Sequence, residues 1–321
     1  MSRYLVTGGS GFIGRTLCSQ LKELGHEVWV LSRYPGKGPW DKAFCYDLAS
    51  GSLPENYFIG VRGVFHLANE SHVRLRGQEI RRYLKVNVEG TAYLLDACRR
   101  YGVRRFVYFS SVRAVQRPVS HCVDEAWDKL PDDPYGVSKR EAERKVLAFG
   151  EAEMAHVCNL RPALTYGAGV KGNLDQMIRG IKRGLFPPLP DFGNLLSMIS
   201  VKDLVEAALQ AMIDPAANGK SYFVTDGEAY SPRKLYLGIS GELGKKIPSW
   251  HIPVSCLRLG AWAGDRLGGL FRRDFPFNSE VLYRLSTFDC YCSDRIRQDL
   301  CWKPERNFYD EISSMLETQD H

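Results

Sequence analysis

The 321-residue chain has no uninterrupted apolar run of about 18 residues, the length a membrane-crossing helix needs, so no span is expected. It has no internal repeat, no low-complexity tract and no long linker. Its nine cysteines are odd in number, scattered and without a Cys-x-x-Cys pair. That pattern argues against a disulfide framework and against a zinc or other metal site. Only Cys290 and Cys292 lie close together, and alternating on a strand they would face opposite sides. Reduced thiols in a cytoplasmic protein are therefore expected. The net charge of +6 comes from basic residues spread along the chain. Without a basic stripe, nucleic acid is not indicated as a partner; a mild positive excess suits a small anionic substrate. A strand expected from residue 3 leaves no room for a signal peptide. What is present, 44% hydrophobic and 25% charged residues, is a globular profile large enough for one big domain and a smaller one.

The rest of the chain is arranged around Arg3-Tyr4-Leu5-Val6-Thr7 and the turn that follows, Gly8-Gly9-Ser10-Gly11-Phe12-Ile13-Gly14. A tight exit from the strand, a close backbone approach to a pyrophosphate and close helix–strand packing all require glycine. The helix that follows, read as Gly14–Leu24 with Leu17, Leu21 and Leu24 in register, offers free N–H groups and positive potential to an anion. Val28–Leu31 reads as the second strand. The residue just past it meets the adenosine ribose in dinucleotide folds, where an acid suits NAD and an arginine suits NADP. Here Ser32 and Arg33 stand there with no acid, which favours NADP over NAD. Residues 43–46 read as a third strand ending at Asp47, an acid placed either to accept from an adenine amine or to cap the next turn. Residues 61–68 give a fourth strand, 79–101 a long helix, and Phe106–Phe109 a fifth strand running into Ser110-Ser111. Strand and helix alternate throughout, so a parallel sheet follows, with ligands at the carboxyl ends of its strands.

The chemistry lies just beyond. A helix over 135–149 puts Tyr135 and Lys139 on one face, four residues apart. A free phenol titrates at about 10, too high for a base at neutral pH. A nearby ammonium would lower that value, and the phenol could then exchange a proton with a substrate hydroxyl or carbonyl.

In order and spacing, these segments resemble an extended short-chain dehydrogenase/reductase, the group containing NAD(P)-dependent nucleotide-sugar epimerases, dehydratases and reductases. The carriers are Gly8–Gly14, Asp47-Leu48, His66-Leu67-Ala68, Asn87 within Val-Asn-Val-Glu-Gly-Thr, Phe109-Ser110-Ser111, Tyr135-x-x-x-Lys139, and Leu160-Arg161-Pro162 leading to Tyr166-Gly167. The resemblance implies Tyr135 as acid/base, Lys139 as ribose anchor and tuner of the phenol, and a serine on the reacting oxygen. Many relatives carry a third Ser or Thr where Val112 stands, which points to Ser111 with Ser110 as second choice. Gly8, Gly11, Phe12, Ile13, Gly14, Ser32, Arg33, Asp47, Leu48, Leu67, Ala68, Asn87 and Pro162, with Tyr135 and Lys139, are the implied cofactor contacts. Asn173 and Tyr166 are the implied substrate contacts, although Asn173 also reads as an N-cap. Val112-Arg113 stands where a dehydratase would carry Asp-Glu. Leu196 stands where close sugar-nucleotide relatives carry an arginine. Family members commonly pair as homodimers through the helices read at 79–101 and 135–149.

Past residue 167 the alternation weakens. Helices are read at Asn173–Lys182, from Val201, at 231–243 and at 254–270, with a proline-rich loop at 185–191 and a strand at 221–224. The helix read at 254–270 gathers Leu257, Ala261, Trp262 and Leu267 on one side, followed by Phe271-Arg272-Arg273. Core or dimer packing is preferred there over membrane contact. Asp299-Leu300-Cys301-Trp302-Lys303-Pro304 resembles the family's closing Leu-Gly-Trp-x-Pro turn, with cysteine replacing glycine. The expected architecture is α/β: a Rossmann-type doubly wound sheet over 1–167 and a smaller mixed substrate-binding region over 168–321, with segments around 196–225 returning to the sheet. The expected function is a 4-epimerase or 4-keto reductase of a nucleotide sugar, a UDP-sugar first. The alternatives are an NADP-dependent reductase of a steroid- or flavonoid-like ketone and a non-catalytic NADP-binding sensor.

Overall fold

The computed structural model describes residues 1–71, 79–246, 250–271, 275 and 277–318. Among them, seven strands form one parallel sheet in the order β3-β2-β1-β4-β5-β6-β9. These are β1 (Arg3–Thr7), β2 (Glu27–Ser32), β3 (Lys42–Cys45), β4 (Val61–His66), β5 (Arg105–Phe109), β6 (His156–Pro162) and β9 (Lys220–Val224). The central strands are apolar along both faces, as a sheet covered by helices on each side requires. One face packs on helices α1 (Phe12–Glu23) and α6 (Val201–Ile213). The other packs on α3 (Gly90–Arg100) and α4 (Pro134–Glu153). The strand order reverses between β1 and β4, so the crevice at their carboxyl ends is the topological switch point.

A second sheet of three strands, in the order β10-β8-β7, joins β7 (Leu164–Tyr166), β8 (Leu196–Ser200) and β10 (Ala229–Tyr230). With α5 (Asn173–Lys182), α7 (Pro232–Glu242) and α11 (Phe308–Glu317) it encloses a core of Tyr166, Leu174, Ile178, Met198, Leu235, Ile239, Phe308 and Ile312. Helices α8 (Val254–Phe271), α9 (Ser279–Ser286) and α10 (Asp294–Leu300) complete the described carboxyl third.

Several boundaries move for local reasons. α1 starts at Phe12, two residues earlier than read, because extended Gly11 serves as its N-cap. β4 stops at His66, since Leu67 and Ala68 bend to bond the Thr7 carbonyl and hydroxyl. The helix expected over 79–101 is broken by a π-helical turn at Leu84–Glu89, between α2 (Glu79–Tyr83) and α3. That wider turn carries Asn87, whose side chain crosses to Glu70 and Ser138. α4 begins at Pro134, where the missing N–H is no loss, and Asp133 caps it by accepting from Gly136 N at 3.1 Å. In α8, Leu257 and Ala261 are buried but Trp262 is 55% and Leu267 38% exposed, so the four do not share one side. Arg272 and Arg273 lie outside the described residues. Cys301 takes the left-handed conformation (φ 50°) that glycine would occupy at roughly 1–2 kcal/mol less cost, and delivers Trp302 to the core.

The expectation of reduced thiols throughout is corrected. Cys122 and Cys290, 168 residues apart, form a disulfide with Cα atoms at 4.5 Å. Val123 and Tyr291 form a parallel bridge that brings the two segments together, a contact that cysteine spacing cannot reveal. Among the described residues, no helix is long and apolar enough to cross a membrane, and no group of three or more metal-type ligands gathers.

Candidate active site

The glycine turn after β1 forms a cradle that side chains would fill. Gly8 has φ 70°, and a Cβ there would lie 2.7 Å from Ala68 N. A Cβ on Gly14 would lie 2.4 Å from the Gly8 carbonyl oxygen. No side chain caps the amino end of α1, which leaves its first N–H groups facing the crevice. The residues present therefore fit a dinucleotide pyrophosphate. Phe12 packs toward the core of the smaller sheet and Ile13 toward the core under the large one. Thr7 links this turn to β4. Its hydroxyl lies 2.6 Å from His66 Nδ1, and His66 Nε2 lies 2.9 Å from the Thr91 hydroxyl. Thr91 donates to the Asn87 carbonyl, so the chain of bonds assigns the histidine proton to Nε2. Burial and the Lys139 charge hold His66 neutral, pushed down to about 3.

The adenosine side departs from expectation. Ser32 Oγ meets Ser10 Oγ at 2.8 Å, tying β2 to the glycine turn. Arg33 is ion-paired rather than free, with Nη1 3.5 Å from Glu70 Oε2. Asp47 accepts from Ala49 N at 3.0 Å, which makes it the cap of the next turn. Leu48 is a core residue against Gly90. Asn87 clamps Glu70, accepting from its N–H at 2.7 Å and donating to its carbonyl at 3.1 Å.

At the end of β5 the two serines separate in role. Ser110 is 5% exposed, its backbone bonded to Leu160 and its hydroxyl without a partner among the described residues. The Ser111 hydroxyl adjoins the Tyr135 phenol and accepts from Arg113 N at 3.2 Å. Tyr135, half-buried and edge-on to Tyr83 at 5.9 Å, is pushed up to about 12 by desolvation. The Ser111 hydroxyl and the Arg113 charge act in the lowering direction. Arg113 is anchored by Asp133 at 2.7 Å.

Lys139 is bonded to β5, and the main influences on the Tyr135 phenol come from other groups. It is fully buried, and its Nζ donates to the Phe109 carbonyl at 2.7 Å and to the Tyr108 hydroxyl at 3.2 Å. Burial pulls it down to about 7, against the raising effect of Glu143. Helical spacing gives the face a side chain shares, whereas its long stem here follows β5. Glu143 pairs both oxygens with Arg161 Nε and Nη2, at 2.8 and 2.7 Å, directly before Pro162 at the end of β6.

Of the two expected substrate contacts, Asn173 is the first residue of α5, with Gly172 as its N-cap, so the N-cap reading is corrected. Its Oδ1 lies 3.5 Å from Arg284 Nη1 of α9. Tyr166 is corrected to a core residue. It is 0% exposed, and its hydroxyl donates to Asp226 and to the Arg306 carbonyl. A cavity of about 540 Å³ opens nearby, lined by Asp191, Phe192, Val254, Arg258, Ala261, Ser279, Leu282, Tyr283 and Ser286. Neither Tyr135 nor Ser111 lines it. Arg117 reaches this cavity, 5.8 Å over the Tyr283 ring and 3.9 Å from Asp289. Sequence reasoning gave no site role to Tyr108, Glu70, Arg113 or Arg284; only Arg113, two places after Ser111, carried a positional signal.

The doubly wound sheet and glycine cradle define a dinucleotide-binding enzyme of the extended short-chain dehydrogenase/reductase class. Residues 4–225 match the NAD dependent epimerase/dehydratase family, and the chain belongs to that family. It is 27% identical to a UDP-glucose 4-epimerase of Vibrio cholerae, covering 94% of this chain and 90% of that protein. It is 30% identical to a 2-alkyl-3-oxoalkanoate reductase of Stenotrophomonas maltophilia, covering 94% and 95%. The solved structure of Thermus thermophilus UDP-glucose 4-epimerase complexed with NAD superposes with a TM-score of 0.75, at 22% identity and 98% coverage of both chains, a likeness of fold.

Proposed function

We propose that this protein is an NAD(P)-dependent enzyme acting on a secondary alcohol or ketone carbon, C4 of a UDP-sugar in the first reading, as a 4-epimerase or 4-keto reductase. The observation that carries the reading is that the Ser111 hydroxyl, at the carboxyl end of β5, adjoins the Tyr135 phenol in the crevice that the glycine cradle also faces. The nicotinamide, when bound, supplies hydride exchange. Gly8, Gly11, Gly14 and the amino end of α1 would hold its pyrophosphate. Ser111 would fix the substrate oxygen. A phenol pushed up to about 12 is protonated at neutral pH, so Tyr135 is set to donate a proton to an oxygen gaining negative charge. Arg113 would favour the phenolate left behind. Lys139, held against Phe109 and Tyr108 and pulled down to about 7, would be a partly charged ammonium at the floor of the crevice near neutral pH. Asn173 and Arg284, which converge, suit a substrate phosphate.

Residues 1–167 would form the dinucleotide unit and 168–321 the substrate unit, with β9 lending its strand to the large sheet. The groove between α3 and α4, lined by Ala92, Leu95, Asp96, Arg99, Lys145, Ala148 and Phe149, would be the homodimer face.

A second reading, an NADP-dependent reductase of a hydrophobic ketone, is favoured by one observation. Leu196 opens β8 where resembling sugar-nucleotide enzymes carry an arginine, and the 2-alkyl-3-oxoalkanoate reductase is a full-length relative. Denaturing extraction identifies the carried nucleotide, and a panel of UDP-sugars and hydrophobic ketones separates the readings. UDP-sugar binding with epimerase or reductase turnover supports the first; turnover of ketones alone replaces it with the second. Tyr135→Phe should keep fold and nucleotide binding while turnover falls 100-fold or more, by the roughly 10²–10⁴-fold that a positioned acid or base contributes. Retained activity would remove Tyr135 as proton carrier.

A further inference from the structure

We propose that Glu70 sets the nucleotide preference: its carboxylate captures Arg33, the one residue at the end of β2 suited to a 2′-phosphate, and so turns the adenosine site from NADP(H) toward NAD(H). The inference rests on the dinucleotide reading above and deepens it. An arginine after β2 would ordinarily argue for NADP. Here its guanidinium faces an anion that the protein itself supplies, with Nη1 3.5 Å from Glu70 Oε2.

Glu70 is the fixed member of this arrangement. Its backbone is clamped on both sides by the Asn87 amide, and that amide also donates to Ser138 at 2.9 Å. Its Oε2 accepts from Arg82 Nε at 2.7 Å. The Glu70 side chain is 14% exposed, against 41% for Arg33 and 52% for Arg82, so the carboxylate sits innermost. On the other side, Cys45 Sγ lies 3.0 Å from the Arg33 carbonyl and holds that backbone against β3. Arg33 therefore has a defined root and a defined partner.

A 2′-phosphate brought to Arg33 would have to displace or share a carboxylate already ion-paired with two guanidiniums. Its own double negative charge would stand within a few ångströms of a fixed negative charge, where screening by salt is weak. A 2′-hydroxyl carries no such penalty. Asp47, the other acid nearby, is engaged as a turn cap and offers no alternative control.

The test is titration of protein stripped of carried nucleotide with NAD, NADH, NADP and NADPH, by calorimetry and reduced-nicotinamide fluorescence. Glu70→Gln keeps size and hydrogen bonding while removing the charge. It should tighten NADP(H) about tenfold or more, with NAD(H) affinity changing less than twofold. In the Glu70→Gln, Arg33→Ala double variant the gain should disappear. Arg33→Ala alone, an exposed change that leaves the fold intact, should weaken NADP(H) less than threefold, because that guanidinium is already neutralised. An unchanged NADP-to-NAD ratio in Glu70→Gln overturns the proposal, as does a gain that survives in the double variant. A tenfold or greater loss of NADP(H) in Arg33→Ala alone overturns it even if Glu70→Gln fails to fold. Tight binding of both nucleotides with no Glu70 effect sinks this inference alone. Binding of neither sinks the dinucleotide reading with it.

Discussion

At the phenol of Tyr135, burial and hydrogen bonding pull in opposite directions, and burial wins. The same competition separates the two serines beside it. Ser111 Oγ adjoins the phenol and lowers its pKa, while the Ser110 hydroxyl is buried with no partner among the described residues. An unpaired buried hydroxyl costs stability, roughly 1–3 kcal/mol, and contributes nothing to a neighbour. Ser111→Ala should therefore lower kcat about 100-fold, by the loss of one donor to the reacting oxygen. Ser110→Ala should leave kcat within about threefold and keep or raise Tm. Steady-state kinetics and a thermal melt of the two variants check this, and equal kinetic losses would refute the assignment. In the sequence, only Val112 pointed to Ser111 rather than Ser110. The destination of the Lys139 stem was not legible, because four-residue spacing fixes a helix face and leaves the rotamer open. Nor was the capture of Arg33 by Glu70, since nothing in the spacing of 33 and 70 announces that β2 and β4 flank β1 with their ends in reach.

Among the elements, the carboxyl-terminal helix α11 is clasped by a buried carboxylate. Asp226 Oδ2 accepts from Tyr166 at 2.9 Å and Tyr230 at 2.8 Å, and the Tyr230 hydroxyl accepts from Phe308 N at 3.0 Å, at the start of α11. Desolvation pushes Asp226 up to about 6, against the lowering effect of the Glu228 N–H and both hydroxyls. Its folded value thus stands above the unfolded one near 3.8. The folded chain binds the extra proton between those values, so this contribution to stability is complete below about 3.8 and is lost as pH rises through about 6. The loss is at most roughly 3 kcal/mol, from 1.36 kcal/mol per pH unit. Asp226→Asn cannot titrate, so its Tm relative to the parent should rise by a few degrees between pH 4 and pH 7. A relative Tm that is flat or falling over that range would show that the carboxylate is not the titrating clasp. Element identities were legible where the helical period was clear: Asn173–Lys182 is the helix read from the sequence, although Gly172 rather than Asn173 caps it. The π-helical turn at Leu84–Glu89 was not legible, because the demand on Asn87 comes from Glu70 and Ser138, contacts distant in sequence.

Across the whole molecule, the segment after Ser110 and Ser111 is joined to the carboxyl third by covalent as well as hydrogen bonds. Val123 N donates to the Cys290 carbonyl at 3.2 Å, Cys292 N donates to the Val123 carbonyl at 2.8 Å, and the Cys122–Cys290 disulfide lies between them. Beside it, Arg117 faces Asp289, and Asp289 accepts from the Tyr291 hydroxyl at 2.7 Å. The bridge closes a loop of 168 residues. For a loop of that length the chain-entropy account gives up to about 5 kcal/mol. Spread over the unfolding entropy of 321 residues, that amounts to up to about 7 °C in Tm. Thiol titration of the unreduced, denatured protein should find seven free cysteines, and nine after reduction, since the structure leaves seven unpaired. Cys290→Ser should melt several degrees lower than the oxidised parent and at nearly the temperature of the reduced one. Nine free thiols without reductant would remove the bridge. A Cys290→Ser melt equal to that of the oxidised parent would show that the strand-like pairing of Val123 with Tyr291 holds this junction unaided.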